Sequence, residues 1–173
     1  MNERLVAFFR GTGTDHRGRG LDAILARDDA WLESTHDFVQ WLFPLREPSG
    51  VLPQAPRLDA ATEAAFAADA ALRDALGRAF ERMLRFYGFE RRDDGSIAPG
   101  PHWDARAPDW FRRSTHNDLR ITRILRSLTL LGRADDARRF LAALAAERAA
   151  RPDCGIGATA FAFWEDAVGR GSG

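Results

Sequence analysis

The chain lacks lysine altogether and contains one cysteine among its 173 residues. All 25 of its basic residues are therefore arginines, and 25 acidic residues balance them. The formal charge of zero gives no indication of binding to nucleic acid or to an anionic membrane surface. The single cysteine, Cys154, excludes an intramolecular disulfide and any site built from several cysteines. We expect a cytoplasmic protein, and the abundance of alanine and arginine favours a bacterial, GC-rich genome.

Long apolar runs and a leader-type N-terminus are absent as well. No apolar run approaches the ~20 residues that a transmembrane helix needs, so no integral membrane segment is expected. No basic segment followed by an apolar stretch and a small-residue cleavage site begins the chain, so no secretory signal is expected. A length of 173 residues is typical of one domain with a real hydrophobic core. We expect a single domain over residues 1–168 and a frayed tail at 169–173.

Alternating strand patterns are almost absent, whereas helical periodicity is common. Helices are predicted over residues 2–10, 21–27, 28–43, 59–87, 115–131, 135–151 and 158–168. The segments 11–20, 44–57 and 90–113 are expected to be connections, the first rich in glycine and the second in proline. The glycine-rich segment follows no strand and has no phosphate-loop lysine, so it does not indicate a nucleotide site. The predicted fold class is all-α, an irregular bundle of about six or seven helices.

Several helix ends carry capping residues. The predicted caps are Asp28 or Asp29, Asp59 and Thr115 before helices, and Gly88 and Gly132 after them. Short polar side chains accept hydrogen bonds from the first free N–H groups of a helix, and glycine adopts the left-handed conformation that ends one. These residues predict where the longer helices begin and end.

Two segments combine large apolar residues with polar groups that a plain amphipathic helix does not need. The first is His36-Asp-Phe-Val-Gln-Trp-Leu-Phe-Pro-Leu-Arg46, and the second is His116-Asn-Asp-Leu-Arg-Ile-Thr-Arg-Ile-Leu-Arg-Ser-Leu128. Shorter segments accompany them in order, including Arg19-Gly20-Leu21, Leu32-Glu33, Phe86-Tyr87-Gly88 and His102-Trp103. Together these segments resemble the conserved region of the opioid growth factor receptor family, and the resemblance covers about residues 5–145.

The resemblance implies a ligand- or peptide-binding domain. The family's namesake is a nuclear and perinuclear receptor for the pentapeptide opioid growth factor, and it restrains cell growth. The chain contains neither the repeat tail nor the basic import segments of the namesake, so nuclear location is not carried over. We expect a single-domain member of the prokaryotic type. Its natural ligand is left open as a small anion or a peptide, with a protein partner as a further option.

The polar residues of the two motifs are candidates for a ligand pocket. His116, Arg120 and Arg123 lie three and four residues apart, on a face distinct from the apolar stripe of their helix. If the helices at 28–43 and 115–131 pack together, their polar groups converge on one cleft, and the 90–113 connection closes over it. The predicted ligand-binding residues are His36, Asp37, Trp41, His102, Trp103, His116, Asn117, Arg120 and Arg123. Guanidinium groups bind carboxylate or phosphate, and an indole excludes water, so an anionic ligand is predicted.

Two other interpretations of these residues stay open. Asp37 paired with Arg120 or Arg123 would make the motifs a structural network, and the chain a protein-interaction bundle that uses its alanine-rich helix. Alternatively, His36 or His116 acts as a general base in a small hydrolase or transferase on an anionic metabolite, with arginines stabilising charge. No nucleophile motif is present, so the sequence favours a role without catalysis. No cofactor is expected, and no pair of histidines has the spacing of a helical metal site.

Overall fold

The computed structural model describes residues 1–169, which form ten α-helices, one 3-10 turn and a two-stranded hairpin. The helices are α1 (Glu3–Phe9), α2 (Leu21–Leu25), α3 (Asp29–Ser34), α4 (Val39–Leu42), α5 (Ala60–Ala68), α6 (Ala70–Tyr87), α7 (Trp103–Trp110), α8 (His116–Leu130), α9 (Ala134–Ala150) and α10 (Ala158–Gly169). The strands are β1 (Phe89–Arg91) and β2 (Ile97–Pro99), and the 3-10 turn spans Pro152–Cys154. The all-α class is confirmed. Of the predicted tail, Gly169 ends α10, and residues 170–173 lie outside the described residues.

The helices outnumber the prediction in part because two predicted helices are interrupted. The helix predicted at 28–43 divides into α3 and α4, and Thr35 has the extended backbone that ends α3. The prediction that His36 lies within a helix is therefore wrong. The helix predicted at 59–87 divides at Asp69, whose carboxylate accepts a hydrogen bond from the N–H of Ala71 and caps α6. An Asp side chain competes with helical hydrogen bonding in this way, so the break at Asp69 has a local cause.

The connection predicted at 90–113 contains regular structure. Strands β1 and β2 pair antiparallel, with Phe89 opposite Pro99. Helix α7 follows them, contains Pro108, and buries Trp103 and Trp110. Strands of three residues and a short helix with an internal proline offer too little periodicity for recognition from sequence.

The end of α6 packs closely against α7 and α8 in the core. Gly88 ends the helix with a φ of +86°, and a Cβ there would lie 2.7 Å from the Cα of Trp103, so only glycine fits. Tyr87 is fully buried, and its hydroxyl donates to the Oδ1 atom of Asn117 on α8 at 3.3 Å. The indole of Trp110 donates to the carbonyl of Tyr87 at 3.1 Å. These contacts hold the first turn of α8 against the core. Over residues 1–169, no helix combines the length and the apolar character of a bilayer span.

Candidate functional site

Arg120 on α8 ties the end of α3 to the core. Its side chain is buried, with only 6% of the residue exposed. One terminal nitrogen donates to the carbonyl of Leu32 at 3.0 Å, and the other donates to the carbonyl of Thr35 at 2.8 Å. Carbonyls at the end of a helix have no partner within the helix, so the guanidinium group satisfies them. Burial lowers the pKa of Arg120, with Tyr87 and Glu33 acting against it, and the side chain remains a cation that only donates.

The start of α8 places the neighbouring polar residues. Thr115 and Asp118 form a capping box, in which each side chain hydrogen-bonds to the backbone N–H of the other residue. Asn117 follows in the first turn and is fully buried. Its Oδ1 atom accepts from Tyr87 and lies 3.4 Å from Arg120, and its amide nitrogen lies 3.4 Å from the Oε1 atom of Glu33. Each polar atom of this side chain therefore has a protein partner.

Two exposed histidines rest on this buried base. The ring centroids of His36 and His116 lie 5.0 Å apart, with the rings nearly perpendicular. The Nδ1 atom of His36 is 2.8 Å from a terminal nitrogen of Arg120, and the Nε2 atom of His116 is 3.2 Å from the Oε1 atom of Glu33. Because a guanidinium group only donates, Nδ1 of His36 accepts, and Nε2 carries the proton in the neutral ring. We call these residues the histidine cluster: His36, His116, Glu33, Asn117 and Arg120.

The electrostatics of the cluster favour a neutral His116. Burial lowers the pKa of His116, and the charge of Arg120 lowers it further, whereas Glu33 opposes both. The other carboxylate oxygen of Glu33 is buried without a hydrogen-bond partner, and its nearest cation is Arg106 on α7 at 3.7 Å. His116 therefore presents an imidazole group rather than a fixed positive charge to the solvent.

Asp37 is bound by the glycine-rich loop 11–20. Its Oδ1 atom accepts from Arg19 at 2.8 Å, its Oδ2 atom accepts from Arg17, and His16 lies 3.4 Å away. The expected pairing of Asp37 with an arginine of α8 is therefore wrong, because Asp37 lies beyond the end of α3 and faces the loop. Burial acts to raise the pKa of Asp37, but the hydrogen bonds from Arg19 and Arg17 outweigh it and lower the pKa.

An open groove of about 470 Å³ lies beside Asp37. We call it the Asp37 groove, and its lining residues are Arg17, Arg19, Trp31, Ser34, Thr35, His36, Asp37 and Val51. The guanidinium carbon of Arg19 lies 5.4 Å from the ring centroid of Trp31, and that of Arg27 lies at 5.3 Å. Because His36 lines the groove and also belongs to the histidine cluster, the two regions are continuous.

The other predicted site residues lie elsewhere. Arg123 donates to the carbonyl of Phe43 at 3.1 Å. Trp41 is buried in the core, where it packs against Phe8. His102 is exposed and lines a separate groove with Glu81 and Arg85.

Trp103 does not close over the histidine cluster, contrary to expectation. It is buried, and its ring packs against Phe89 of the hairpin and Trp110 of its own helix. Arg106, one turn later on α7, does approach Glu33. Glu33, Arg17 and Arg19 were not predicted as site residues. Glu33 and Arg19 are polar residues inside segments that carried the resemblance, and this was the signal for them, whereas Arg17 lies in the glycine-rich loop and had no such signal.

Metal binding has no candidate group in this part of the chain. Over residues 1–169, no three histidine, cysteine, aspartate or glutamate side chains are arranged to hold a metal ion. His36, His116 and Glu33 do come together, but their contacts are with one another and with the buried base.

Comparison with known proteins gives one consistent family. The opioid growth factor receptor conserved region matches residues 21–147, which include both motifs and the whole histidine cluster. The chain is 45% identical over 103 residues to the opioid growth factor receptor of Rattus norvegicus, an alignment that covers 58% of this chain and 17% of the receptor. It is 44% identical over 103 residues to the receptor of Homo sapiens, with 58% and 15% covered.

A second group of relatives matches the same region. The chain is 39% identical over 105 residues to opioid growth factor receptor-like protein 1 of Mus musculus, with 58% of this chain and 22% of the relative covered. The aligned region is thus less than a quarter of each relative's length. No solved structure matches the chain.

Proposed function

The chain belongs to the opioid growth factor receptor conserved-region family, and we propose that it binds a short peptide through a carboxylate group. The proposed site is the histidine cluster together with the Asp37 groove. One observation carries the proposal: two exposed imidazoles, 5.0 Å apart, are held over a buried arginine at the edge of an open groove. Binding sites commonly place a few fixed polar groups beside apolar surface.

The chemistry of the two regions is complementary to such a peptide. His36 offers an Nε2–H donor to a carboxylate, since its Nδ1 atom is engaged by Arg120. Arg17 adds positive charge at the groove, where its side chain is 66% exposed. Trp31 and the exposed Val51 supply apolar surface for the side chains of the peptide. A ligand with a carboxylate and apolar side chains fits this combination better than a simple inorganic ion.

The predicted residues take different roles in this proposal. His36 and His116 contact the ligand, whereas Arg120 and Asn117 position them from below. Asp37 orients the arginines of the glycine-rich loop at the groove.

Trp41, Arg123, His102 and Trp103 lie outside the proposed contact surface. The hydrolase or transferase and the protein-interaction bundle gain no support from the comparisons. A cytoplasmic location and a bacterial source remain part of the proposal, supported by the low cysteine content and the absence of lysine.

Isothermal titration calorimetry with the opioid growth factor pentapeptide tests the proposal. That peptide is the probe because the relatives are named as its receptors. We expect saturable binding to the unmodified protein and a loss of affinity of about tenfold or more in the double variant His36→Ala, His116→Ala. His102→Ala is the matched control. It removes an exposed histidine that precedes α7 and lines a separate groove, so the affinity should stay unchanged. No saturable binding, or an equal loss in the control, would contradict the proposal.

A further inference from the structure

Two neighbouring side chains of the first motif are buried without hydrogen-bond partners. The Oε1 atom of Gln40 and the indole Nε1 atom of Trp41 both lack a partner, although these residues are only 5% and 1% exposed. Two other fully buried indoles, Trp110 and Trp164, each donate to a backbone carbonyl at 3.1 Å. Buried polar groups in proteins are nearly always paired, so the unpaired indole of Trp41 is an exception that needs a cause.

Trp41 lines an open pocket of about 500 Å³ between α1 and the proline-rich connection 44–57. We call it the Trp41 pocket. Its lining residues are Asn2, Arg4, Trp41, Arg46, Gln54, Ala55, Pro56, Arg57, Leu58 and Asp59. It shares no residue with the Asp37 groove or the histidine cluster.

The arginines of the pocket are unevenly paired. Arg46 donates from its Nε atom and from a terminal nitrogen to the two carboxylate oxygens of Glu63, at 2.6 and 2.7 Å. Arg4 lies with its guanidinium carbon 5.5 Å from the ring centroid of Trp41. Within residues 1–169, neither Arg4 nor Arg57 forms an ion pair, and both are exposed. Two guanidinium groups without carboxylates therefore line the same pocket as Trp41, the residue whose indole N–H has no acceptor.

The one carboxylate in the lining is already engaged. Asp59 accepts from both the backbone N–H and the hydroxyl of Thr62 at 2.7 Å, and the amino group of Met1 lies 3.1 Å away. The hydrogen bonds from Thr62 lower the pKa of Asp59 to about 2, so its charge is present at neutral pH and is offset by these contacts. The charged groups of the lining that have no ionic partner are therefore the guanidinium groups of Arg4 and Arg57.

We propose that the Trp41 pocket binds an oxyanion, the phosphate or carboxylate group of a ligand. Arg4 and Arg57 supply the positive charge, and the indole N–H of Trp41 supplies a directional hydrogen bond. Guanidinium groups match both oxyanions in geometry. Because the indole N–H is buried, the proposal includes a movement of the exposed Arg4 side chain, which lies over the indole ring, that opens the N–H to the ligand.

Nuclear magnetic resonance of the indole N–H signals provides the test. Each of the five tryptophans contributes one indole N–H signal, and the signal that disappears in Trp41→Phe is assigned to Trp41. Inorganic phosphate and acetate are the two probes, titrated separately at constant ionic strength. We expect the Trp41 signal to shift saturably with at least one probe, while the signals of Trp110 and Trp164 stay unchanged. Saturation by phosphate alone assigns a phosphoryl ligand, and saturation by acetate assigns a carboxylate.

Paired variants separate a specific site from general attraction to positive charge. The double variant Arg4→Gln, Arg57→Gln should weaken binding about tenfold or more. The double variant Arg85→Gln, Arg113→Gln removes the same charge from exposed positions outside the pocket and should not change the affinity. The single variant Arg57→Gln, in an exposed connection, gives the same comparison if loss of Arg4 impairs folding. An unsaturable shift with both probes, or equal affinities in the pocket and control variants, would overturn the proposal.

Discussion

The surroundings of Arg120 and of Trp41 are two buried polar regions organised in opposite ways. At Arg120, the guanidinium group binds the carbonyls that end α3, and Asn117 joins Tyr87 to Glu33. The Oε2 atom of Glu33 has no hydrogen bond but lies 3.7 Å from the guanidinium group of Arg106, so the network is closed apart from this atom. At Trp41, the indole N–H has no acceptor. The amide oxygen of the adjacent Gln40 has no donor. A closed network holds secondary-structure elements together, whereas an open one leaves groups that an external ligand can satisfy. Arg120 and Asn117 therefore position a site, whereas we expect Trp41 to contact a ligand directly.

Removal of Arg120 should give the largest effect on stability. Arg120→Ala leaves the buried carbonyls of Leu32 and Thr35 without donors, so we expect a loss of about 3 kcal/mol in the free energy of unfolding. Urea denaturation measures this loss. Arg126→Ala on the same helix breaks a surface ion pair with Glu47 and should cost less than about 1 kcal/mol. Similar losses in the two variants would show that Arg120 is not an anchor.

Two nearly isosteric substitutions sharpen the contrast between closed and open networks. Asn117→Leu removes a buried amide whose oxygen and nitrogen both have partners and leaves the hydroxyl of Tyr87 without its acceptor. We therefore expect a loss of about 2 kcal/mol in the free energy of unfolding. Gln40→Met removes an unsatisfied buried oxygen at similar volume, so we expect a change of less than about 1 kcal/mol, of either sign. Thermal unfolding of both variants provides the measurement. If Gln40→Met costs as much as Asn117→Leu, the region around Trp41 is not open.

Acidification should selectively weaken the contact between Asp37 and the glycine-rich loop. The folded state lowers the pKa of Asp37 below its ordinary value of 3.8, so its stabilising contribution is fully present above that value and is lost as the pH falls through the lowered pKa. The free energy of unfolding of Asp37→Asn should therefore be about 1 kcal/mol lower than that of the unmodified protein at neutral pH. The two free energies should converge in strong acid. Asp93→Asn, in the exposed hairpin turn, is the control and should track the unmodified protein. A constant difference at every pH would contradict this assignment.

The smallest predicted effect is a shift in the titration of His116. Its pKa should lie below the ordinary 6.5, because burial and Arg120 disfavour the charged ring. Glu33→Gln should lower this pKa further, since Glu33 supplies the opposing attraction. The imidazole proton signals followed against pH give both values, and Glu81→Gln, beside His102, should leave them unchanged. A rise in the pKa of His116 in Glu33→Gln would show that the two groups do not interact as described.

Local features of the fold were predictable because their causes are close in sequence. Asp28, Asp59 and Thr115 cap helices as predicted, and Gly88 ends α6 in the left-handed conformation. Each of these signals depends on a side chain and a backbone group a few residues apart. The hairpin β1–β2 is the exception, since three-residue strands carry almost no pattern.

Features that depend on distant contacts were not predictable. The carbonyl of Leu32 meets Arg120 across 88 positions, and Asp37 meets Arg19 across 18. The first turns of α8 do bring His116, Asn117 and Arg120 close to His36, with His116 exposed and with Asn117 and Arg120 buried beneath it. No sequence rule indicated that Asp37 would leave that group for the glycine-rich loop.

We propose nuclear magnetic resonance of the imidazole signals during addition of the opioid growth factor pentapeptide. It shows whether His36 and His116, held over Arg120, form the contact surface for a peptide carboxylate. We expect saturable shifts of both signals with one shared affinity, while the signal of His102, which is also exposed, stays in place. Unchanged signals of His36 and His116 at saturating peptide, or a shift confined to His102, would contradict it.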